Sequence, residues 1–190
     1  MTRTRNPWAE ARSLADLGEL TAMWLEGDLP EHPQCFGGPN DETTPLIPTL
    51  AAANRSAFVT ITSQPGDAPS PGYDGAIWAQ MPGVMGLADP GTLDRLTAGV
   101  KATPGLVLFD APVFATRRLV SDAYVSVTVR DGQPYTRFSL LPWRILYQVL
   151  GATRNLPAAV RGAQQVLLVD QTWDDRPVLW DLLTEVSHRG

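Results

Sequence analysis

The chain has 190 residues, 44% of them hydrophobic and 18% charged, which is an ordinary globular composition and predicts one domain over residues 1–190. Its net charge of −5 disfavours broad nucleic-acid binding, which requires clustered positive charge. The single cysteine excludes an internal disulfide, and no apolar run reaches the roughly 18 residues of a membrane-spanning helix.

The first predicted element is an amphipathic helix that begins at Asn6-Pro7 and ends at Gly27. Asn is favoured as an N-cap, Pro at the first helical position, and Gly just past the helix end. The apolar residues at helical spacing are Leu14, Leu17, Leu20 and Trp24. This pattern predicts a helix that packs one face on the core.

Residues 28–43 are rich in Pro and Gly and are predicted to form a loop. Within this loop, His32 and Cys35 are close enough in sequence to suggest a metal site. A structural zinc site needs four ligands, and no second pair is present, so we predict no metal. The two could also form a nucleophile pair, although such partners are usually distant in sequence. A loop of this length is often functional, so it is a candidate lid.

A short helix, capped by Thr44 and ending at Asn54-Arg55, is predicted to lead directly into a strand at residues 57–62. The period of two places Thr60 and Thr62 on one face of that strand, so that face carries two hydroxyl groups. We expect Arg55 to pair with an acidic residue of the preceding loop, at positions 41–42.

The segment Ser63-Gln64-Pro65-Gly66 predicts a tight turn that stops the strand. A polar turn just past a buried strand is where α/β sheets present ligand contacts. Alternatively, Ser63 and Gln64 only satisfy backbone groups of the turn.

Further along the chain, strands and helices alternate. The predicted elements are a loop at 66–76, extended segments within 77–88, a helix at 90–101 capped by Asp89, a strand at 106–109, a hairpin at 123–141 that turns at Asp131-Gly132, a helix from 142, a strand at 166–169 and a C-terminal helix. They predict an α/β (or α+β) fold, with a mixed central β-sheet and helices packed on it.

Two of these apolar strands end in a carboxylate, at Asp110 and Asp170. If the strands are parallel, their carboxyl ends meet at one edge of the sheet. The two acids would then bind Mg²⁺ or supply a general base. The alternative is that each Asp caps the segment that follows it.

Three stretches resemble the signature of an uncharacterised domain family common in actinomycetes: NR-x-x-F-V-T-x-x-SQPG at residues 54–66, the opening W-AE-ARSLADLGELTAMWLEGD, and the late QQVLLVDQTWDD-x-x-VLW. The late stretch has Asp174-Asp175 where the family pattern has a Gly-Arg pair. The family has no established activity, so the resemblance implies one complete domain and adds no chemistry.

We expect a cytoplasmic, small-molecule-binding domain, and if it is an enzyme we expect it to work without a covalent nucleophile or cofactor. No apolar signal segment follows the basic start at residues 2–5. The predicted ligand-binding residues are Asn54, Arg55, Ser63, Gln64, Gly66, Asp170 and Trp173. The alternative is a non-enzymatic protein-interaction domain, or a domain that self-associates, through the edge of the 123–141 hairpin.

Overall fold

A computed structural model of the protein describes residues 6–120, 124–174 and 176–188. Three parts of the sequence predictions fall outside the described residues: the basic start at residues 2–5, Ala123 at the beginning of the hairpin, and Asp175 of the late motif.

The α/β class predicted from the sequence is confirmed. The helices are α1 (Leu14–Leu25), α2 (Ile47–Arg55), α3 (Pro90–Ala102), α4 (Arg117–Val120), α5 (Trp143–Val149), α6 (Leu156–Ala159) and α7 (Val178–His188), with 3₁₀ helices at Pro7–Ala9 and Asp41–Leu46. The strands are β1 (Glu31–His32), β2 (Cys35–Phe36), β3 (Phe58–Gln64), β4 (Asp67–Pro71), β5 (Ile77–Gln80), β6 (Gly83–Ala88), β7 (Leu106–Pro112), β8 (Tyr124–Arg130), β9 (Gln133–Ser139) and β10 (Gln164–Asp170).

The strands form two four-stranded sheets and a small β1–β2 hairpin, where the sequence predicted one central sheet. The first sheet has the order β3-β6-β10-β7 and the second has the order β4-β5-β8-β9. Every strand pair in the described part of the chain is antiparallel, so the predicted mixture of directions does not occur among neighbours. The helix α3 does connect two strands of the same direction, β6 and β7, but β10 lies between them.

A long two-stranded ribbon passes from the first sheet into the second. In the first sheet Gln64 is opposite Gly83, and in the second Asp67 is opposite Gln80. The chain therefore bends at Pro65-Gly66 and continues in the same direction. The tight turn predicted at residues 63–66 is wrong, and so is the uninterrupted loop predicted for 66–76, since β4 lies there. We call the bend, residues 64–66 together with 81–82, the corner.

The core has two layers, which β10 separates. Val166 and Leu168 belong to the cluster that the helices cover, whereas Leu167 and Val169 belong to the cluster between the two sheets. Successive strand residues point to opposite faces, so the continuous apolar run is buried on both sides. This confirms the buried strand predicted at 166–169.

Local signals account for most element boundaries. Asp89 caps α3 by accepting a hydrogen bond from the Thr92 backbone N–H, as predicted. Asp131 and Gly132 both have positive φ angles, of 50° and 72°, and form the predicted hairpin turn between β8 and β9. The first helix differs from the prediction, because Asn6 caps only a 3₁₀ turn, and α1 begins after Ser13, which forms a capping box with Asp16.

Candidate functional site

The seven predicted ligand-binding residues do not form one site. Asn54 and Arg55 precede β3, whereas Ser63, Gln64 and Gly66 lie at its far end. Asn54 hydrogen-bonds to Thr60, and the three to four strand residues from Thr60 to Ser63 and Gln64 span about 10–13 Å. Each group therefore has its own surroundings.

Asn54 joins α2 to β3 and is fully buried. Its Nδ2 donates to the Leu50 carbonyl and to the Thr60 Oγ1, both at 2.8 Å, and its Oδ1 accepts from the Thr60 backbone N–H at 2.9 Å. Both the nitrogen and the oxygen of the amide are thus hydrogen-bonded within the protein. Its role is to fix the path of the chain between helix and strand.

Arg55 lies on the surface and pairs with two carboxylates of α1. Its Nε is 3.1 Å from Glu19 Oε2, and its Nη2 is 2.6 Å from Glu26 Oε2. The prediction that Arg55 pairs with an acid at positions 41–42 was wrong, because α1 packs beside α2 and places Glu19 and Glu26 within reach of the guanidinium. The guanidinium lowers the pKa of the Glu26 carboxyl through its hydrogen bonds. These contacts tie two helices together at the surface.

Gln64 holds the corner. Its Nε2 donates to the Met81 carbonyl at 3.1 Å and to the Val127 carbonyl at 2.8 Å, and its Oε1 accepts from the Thr128 hydroxyl at 3.2 Å. The side chain is only 8% exposed. It therefore connects the bend of the ribbon to β8 of the second sheet.

Gly66 makes the bend of the corner possible. Its φ angle is +96°, and a Cβ at this position would lie 2.5 Å from the Pro82 Cγ. Both the left-handed backbone and the close approach require glycine. The indole of Trp180, on α7, donates to the neighbouring Pro65 carbonyl at 3.2 Å.

Asp170 is fully buried at the end of β10 and is satisfied by its own loop. Its carboxylate accepts from Arg176 Nη2 at 2.8 and 2.9 Å, and from the backbone N–H and hydroxyl of Thr172 at 3.1 and 2.9 Å. The Asp170 backbone N–H donates to the Pro82 carbonyl at 2.9 Å, so Asp170 and Gln64 hold adjacent residues of the corner.

Asp110 and Asp170 do not share a site, which corrects one of the arrangements considered from the sequence. Asp170 is opposite Leu106, and Asp110 is opposite Val166. Four strand residues separate the two positions, which is about 13 Å. The reason is that β7 and β10 are antiparallel, so the carboxyl ends of these two strands lie at opposite ends of the sheet.

Trp173 extends over the second sheet. It lines a cavity of about 410 Å³ whose wall includes Ala79 and Val129. The residue follows β10, so the end of the first sheet contributes to a cavity on the second.

A different set of polar residues surrounds a cavity of about 260 Å³ between β3 and the predicted 28–43 loop, which we call the loop cavity. Its lining residues are Thr21, Trp24, Leu25, His32, Gln34, Cys35, Gly38, Pro39, Asn40, Thr43, Leu50, Thr60, Ile61, Thr62 and Ser63. Of the seven residues predicted from the sequence, Ser63 is in this lining.

The floor of the loop cavity comes from an irregular part of β3. The register shifts between Thr60 and Thr62, so that Ile61 is an extra residue relative to β6. A bulge of this kind redirects side chains and breaks the alternation predicted for this strand. As a result, residues 60 to 63 all line the cavity in succession.

Two indoles of the N-terminal region hold the roof. The Trp24 Nε1 donates to the Gly37 carbonyl at 2.8 Å, and the Trp8 Nε1 donates to the Glu31 carbonyl at 3.2 Å. The His32 ring lies between them, with centroid distances of 4.7 Å to Trp8 and 4.8 Å to Trp24. The β1–β2 hairpin is therefore attached to α1.

His32 is a neutral side chain at physiological pH. Burial lowers its pKa to about 4. Its Nδ1 accepts from the Gln34 backbone N–H at 3.3 Å, which assigns the ring proton to Nε2. Cys35 is directly opposite His32 in the hairpin, but no hydrogen bond joins its thiol to the imidazole. Across the described ranges, no three His, Cys, Asp or Glu side chains are grouped so as to hold a metal ion.

The loop cavity is distinguished by polar groups that the protein leaves unused. Within the described part of the chain, no hydrogen bond engages the side chains of Gln34, Asn40, Thr43, Thr62 and Ser63. None of the lining residues is Asp, Glu, Lys or Arg. Sequence reasoning found Ser63 and the threonine face of β3, but missed Gln34, Asn40 and Thr43. The only available signal for those three was the length of the loop that carries them.

Three further observations concern the chain beyond the loop cavity. In the portion that the structure describes, no helix combines the length and apolarity needed to cross a membrane. A comparison with curated proteins found no match. A family model described as "Domain of unknown function (DUF6919)" matches residues 3–188, and the chain therefore belongs to the DUF6919 family.

Proposed function

We propose that this domain binds a small, uncharged, polar molecule in the loop cavity. The observation that carries the proposal is the group of unused hydrogen-bonding side chains around that cavity. Elsewhere the predicted site residues Asn54, Gln64 and Asp170 have their polar atoms engaged by the protein. A ligand gains most binding free energy from donors and acceptors that have no partner within the protein, because no internal hydrogen bond has to be broken.

The character of the lining supports an uncharged ligand. The wall has hydroxyl, amide, thiol and imidazole groups but no carboxylate, ammonium or guanidinium. The low pKa of His32, about 4, keeps that ring neutral as well. An ion would lose its hydration without gaining an opposite charge, which is costly.

The size of the cavity supports a small ligand. Its volume of about 260 Å³ lies just below the range of roughly 300–1,000 Å³ found for drug-sized ligands. A monosaccharide, a short polyol or a nucleobase has the matching combination of size and hydrogen-bonding groups. Ser63 and Thr62 would contact it from the floor, and Asn40 and Gln34 from the roof.

Binding without catalysis is the form of this proposal that the site favours. A general base needs an available lone pair within reach of the substrate. The Nδ1 of His32 is already occupied by the Gln34 backbone N–H, and Cys35 has no hydrogen bond to the ring. The lining therefore supplies recognition groups and no activated nucleophile.

The experiment is a thermal-shift screen with neutral sugars, polyols and nucleobases, and with charged analogues of each. A ligand at about a hundred times its Kd stabilises the fold by roughly 2.7 kcal/mol, which raises the melting midpoint measurably. We expect the shift to vanish in the Thr62→Val/Ser63→Ala double variant. It should persist in Ser70→Ala, a matched change on the second sheet. A response only to charged compounds, or one that survives the double variant, would refute this location.

Self-association is the second candidate, and one observation favours it. The strand β9 is at the edge of the second sheet, and its residues Gln133 to Arg137 are exposed. An exposed edge offers unpaired backbone groups to another strand. Pro134 on this edge lacks an N–H, and Arg137 is charged, and both features weaken strand addition. Light scattering across a concentration series decides the matter, and a constant monomer mass would exclude self-association.

A further inference from the structure

A further concave surface lies between the segment after β7 and the start of α5. It has a volume of about 610 Å³. Its apolar wall contains Phe114, Trp143 and Ile145, and its polar groups belong to Thr116, Arg117 and Arg144. We call it the aromatic groove.

The walls of the aromatic groove are held together by backbone and ring contacts. The Trp143 backbone N–H donates to the Ala115 carbonyl at 2.9 Å, which joins the two segments. The Phe114 and Trp143 rings meet edge to face, with centroids 4.7 Å apart. The groove is therefore a formed feature of the fold, because its floor is fixed by main-chain geometry.

Large apolar side chains remain accessible in this groove. Phe114 is 47% exposed and Ile145 is 42% exposed. Exposed apolar side chains scattered singly need no explanation, whereas adjacent ones in a concave surface mark an interaction site. Burying them against an apolar group would supply the hydrophobic part of a binding energy.

The polar groups of the aromatic groove are hydrogen-bond donors without partners. In the described residues, no hydrogen bond or ion pair engages the guanidinium groups of Arg117 and Arg144 or the indole Nε1 of Trp143. No carboxylate is part of the lining. Arg55, Arg130 and Arg176 pair with carboxylates, whereas other exposed arginines such as Arg161 have no such partner among the residues that the structure describes. The groove differs because it brings two of these unpaired guanidinium groups to one apolar surface.

We propose that the aromatic groove binds a small amphiphilic anion, namely an organic carboxylate on an aliphatic or aromatic body. The carboxylate accepts from Arg117 and Arg144, and arginine forms paired hydrogen bonds with this group. The body packs against Phe114, Trp143 and Ile145. Charge complementarity selects the head group, and the apolar wall selects the body, so both parts are required for binding.

The experiment uses the full chain and three probes: octanoate, which has both parts, octanol, which lacks the charge, and acetate, which lacks the body. Binding is measured by calorimetry and by the ¹H–¹⁵N signal of the Trp143 indole, assigned with Trp143→Phe. We expect octanoate to bind at least tenfold more tightly than octanol or acetate, and to move that indole signal.

Variants then test the assignment of the cations. Arg117→Gln/Arg144→Gln should weaken octanoate binding at least tenfold, while octanol binding stays unchanged. The matched control is Arg161→Gln, an exposed arginine outside the groove, which should leave octanoate binding unchanged. All three side chains are exposed, so we expect the variants to fold like the parent protein. Circular dichroism verifies this.

Several results would overturn the proposal. Equal affinity for octanoate and octanol would remove the role of the arginines. Octanoate binding that leaves the Trp143 indole signal in place would locate the site elsewhere. The proposal would also be overturned if the protein bound vesicles that contain anionic lipid but did not bind octanoate. The groove would then be a membrane-contact surface.

Discussion

The corner and the loop cavity lie at opposite sides of the end of β3, and they use similar residues in different ways. At the corner, the amide of Gln64 makes three hydrogen bonds within the protein. In the loop cavity, the hydroxyl of the adjacent Ser63 makes none with the described residues. Successive side chains of a strand point to opposite faces, and this separates neighbours into two environments.

A polar motif is therefore available to a ligand only where the fold leaves its hydrogen-bonding groups free. A polar residue at the end of a buried strand has the right chemistry for a ligand, but the fold can consume that chemistry first. Buried polar groups must be hydrogen-bonded, so those next to a sheet junction bond to the strands that meet there. Groups beside a cavity keep their hydrogen-bonding capacity. Four predictions test this division, in order of decreasing effect.

The largest effect is expected from Asp170→Asn. It removes the charge that pairs with Arg176, and leaves a fully buried position with fewer acceptors. We expect the free energy of unfolding to fall by about 3 kcal/mol, as for other broken buried pairs. Urea unfolding followed by circular dichroism measures it. Asp110→Asn, an exposed acid on the same sheet, is the control and should change stability by less than about 0.5 kcal/mol. Similar small losses in both variants would contradict the structural role of Asp170.

The corner is tested by Gln64→Leu, which keeps the side-chain volume and removes the amide. The Met81 carbonyl would lose this donor, and the Val127 carbonyl would keep only its hydrogen bond from the Met81 backbone N–H. We expect a loss of about 2–3 kcal/mol in the free energy of unfolding. Gln133→Leu, on the exposed edge strand, should have almost no effect. If the Gln64 variant were as stable as the parent protein, the corner would not depend on this amide.

The roof of the loop cavity is tested by pH. Burial lowers the pKa of His32 to about 4, below the value of 6.5 in the unfolded chain. Below pH 6.5 the unfolded state binds the proton more strongly, so stability is lost as the pH falls toward 4. Between pH 7.5 and 5.0 this amounts to about 2 kcal/mol in the free energy of unfolding.

Urea unfolding at the two pH values, with parent and His32→Gln proteins, isolates this contribution. The pH dependence should be smaller in His32→Gln by the stated amount. An identical pH dependence in both proteins would mean that the roof opens readily to water.

The smallest effect on stability is expected inside the loop cavity. Thr62→Val and Ser63→Ala remove hydroxyl groups that have no partner among the described residues. We expect each to change the free energy of unfolding by less than about 0.5 kcal/mol, the usual range for sites without a specific contact. Urea unfolding provides the measurement. A loss above 1 kcal/mol would show that these hydroxyls serve the fold, as Gln64 does, and would remove the basis of the proposed ligand site.

The corner shows why the sequence could not predict the hydrogen-bond partners of Gln64. Gln64 finds its partners Val127 and Thr128 at sequence separations of 63 and 64 residues. Nothing local in the segment 63–66 indicates that a second sheet will pack there. The Pro-Gly pair has the same composition whether the chain reverses or only bends.

Elements with local causes could be predicted from the sequence alone. The Asp131-Gly132 turn, the Asp89 cap and the apolar run at 166–169 each specify their structure within a few residues, and all three were predicted. Strand direction, the division into two sheets and the availability of polar side chains became known only from the three-dimensional structure. Those outcomes depend on pairings between distant segments, because a hydrogen bond used inside the fold is no longer free for a ligand.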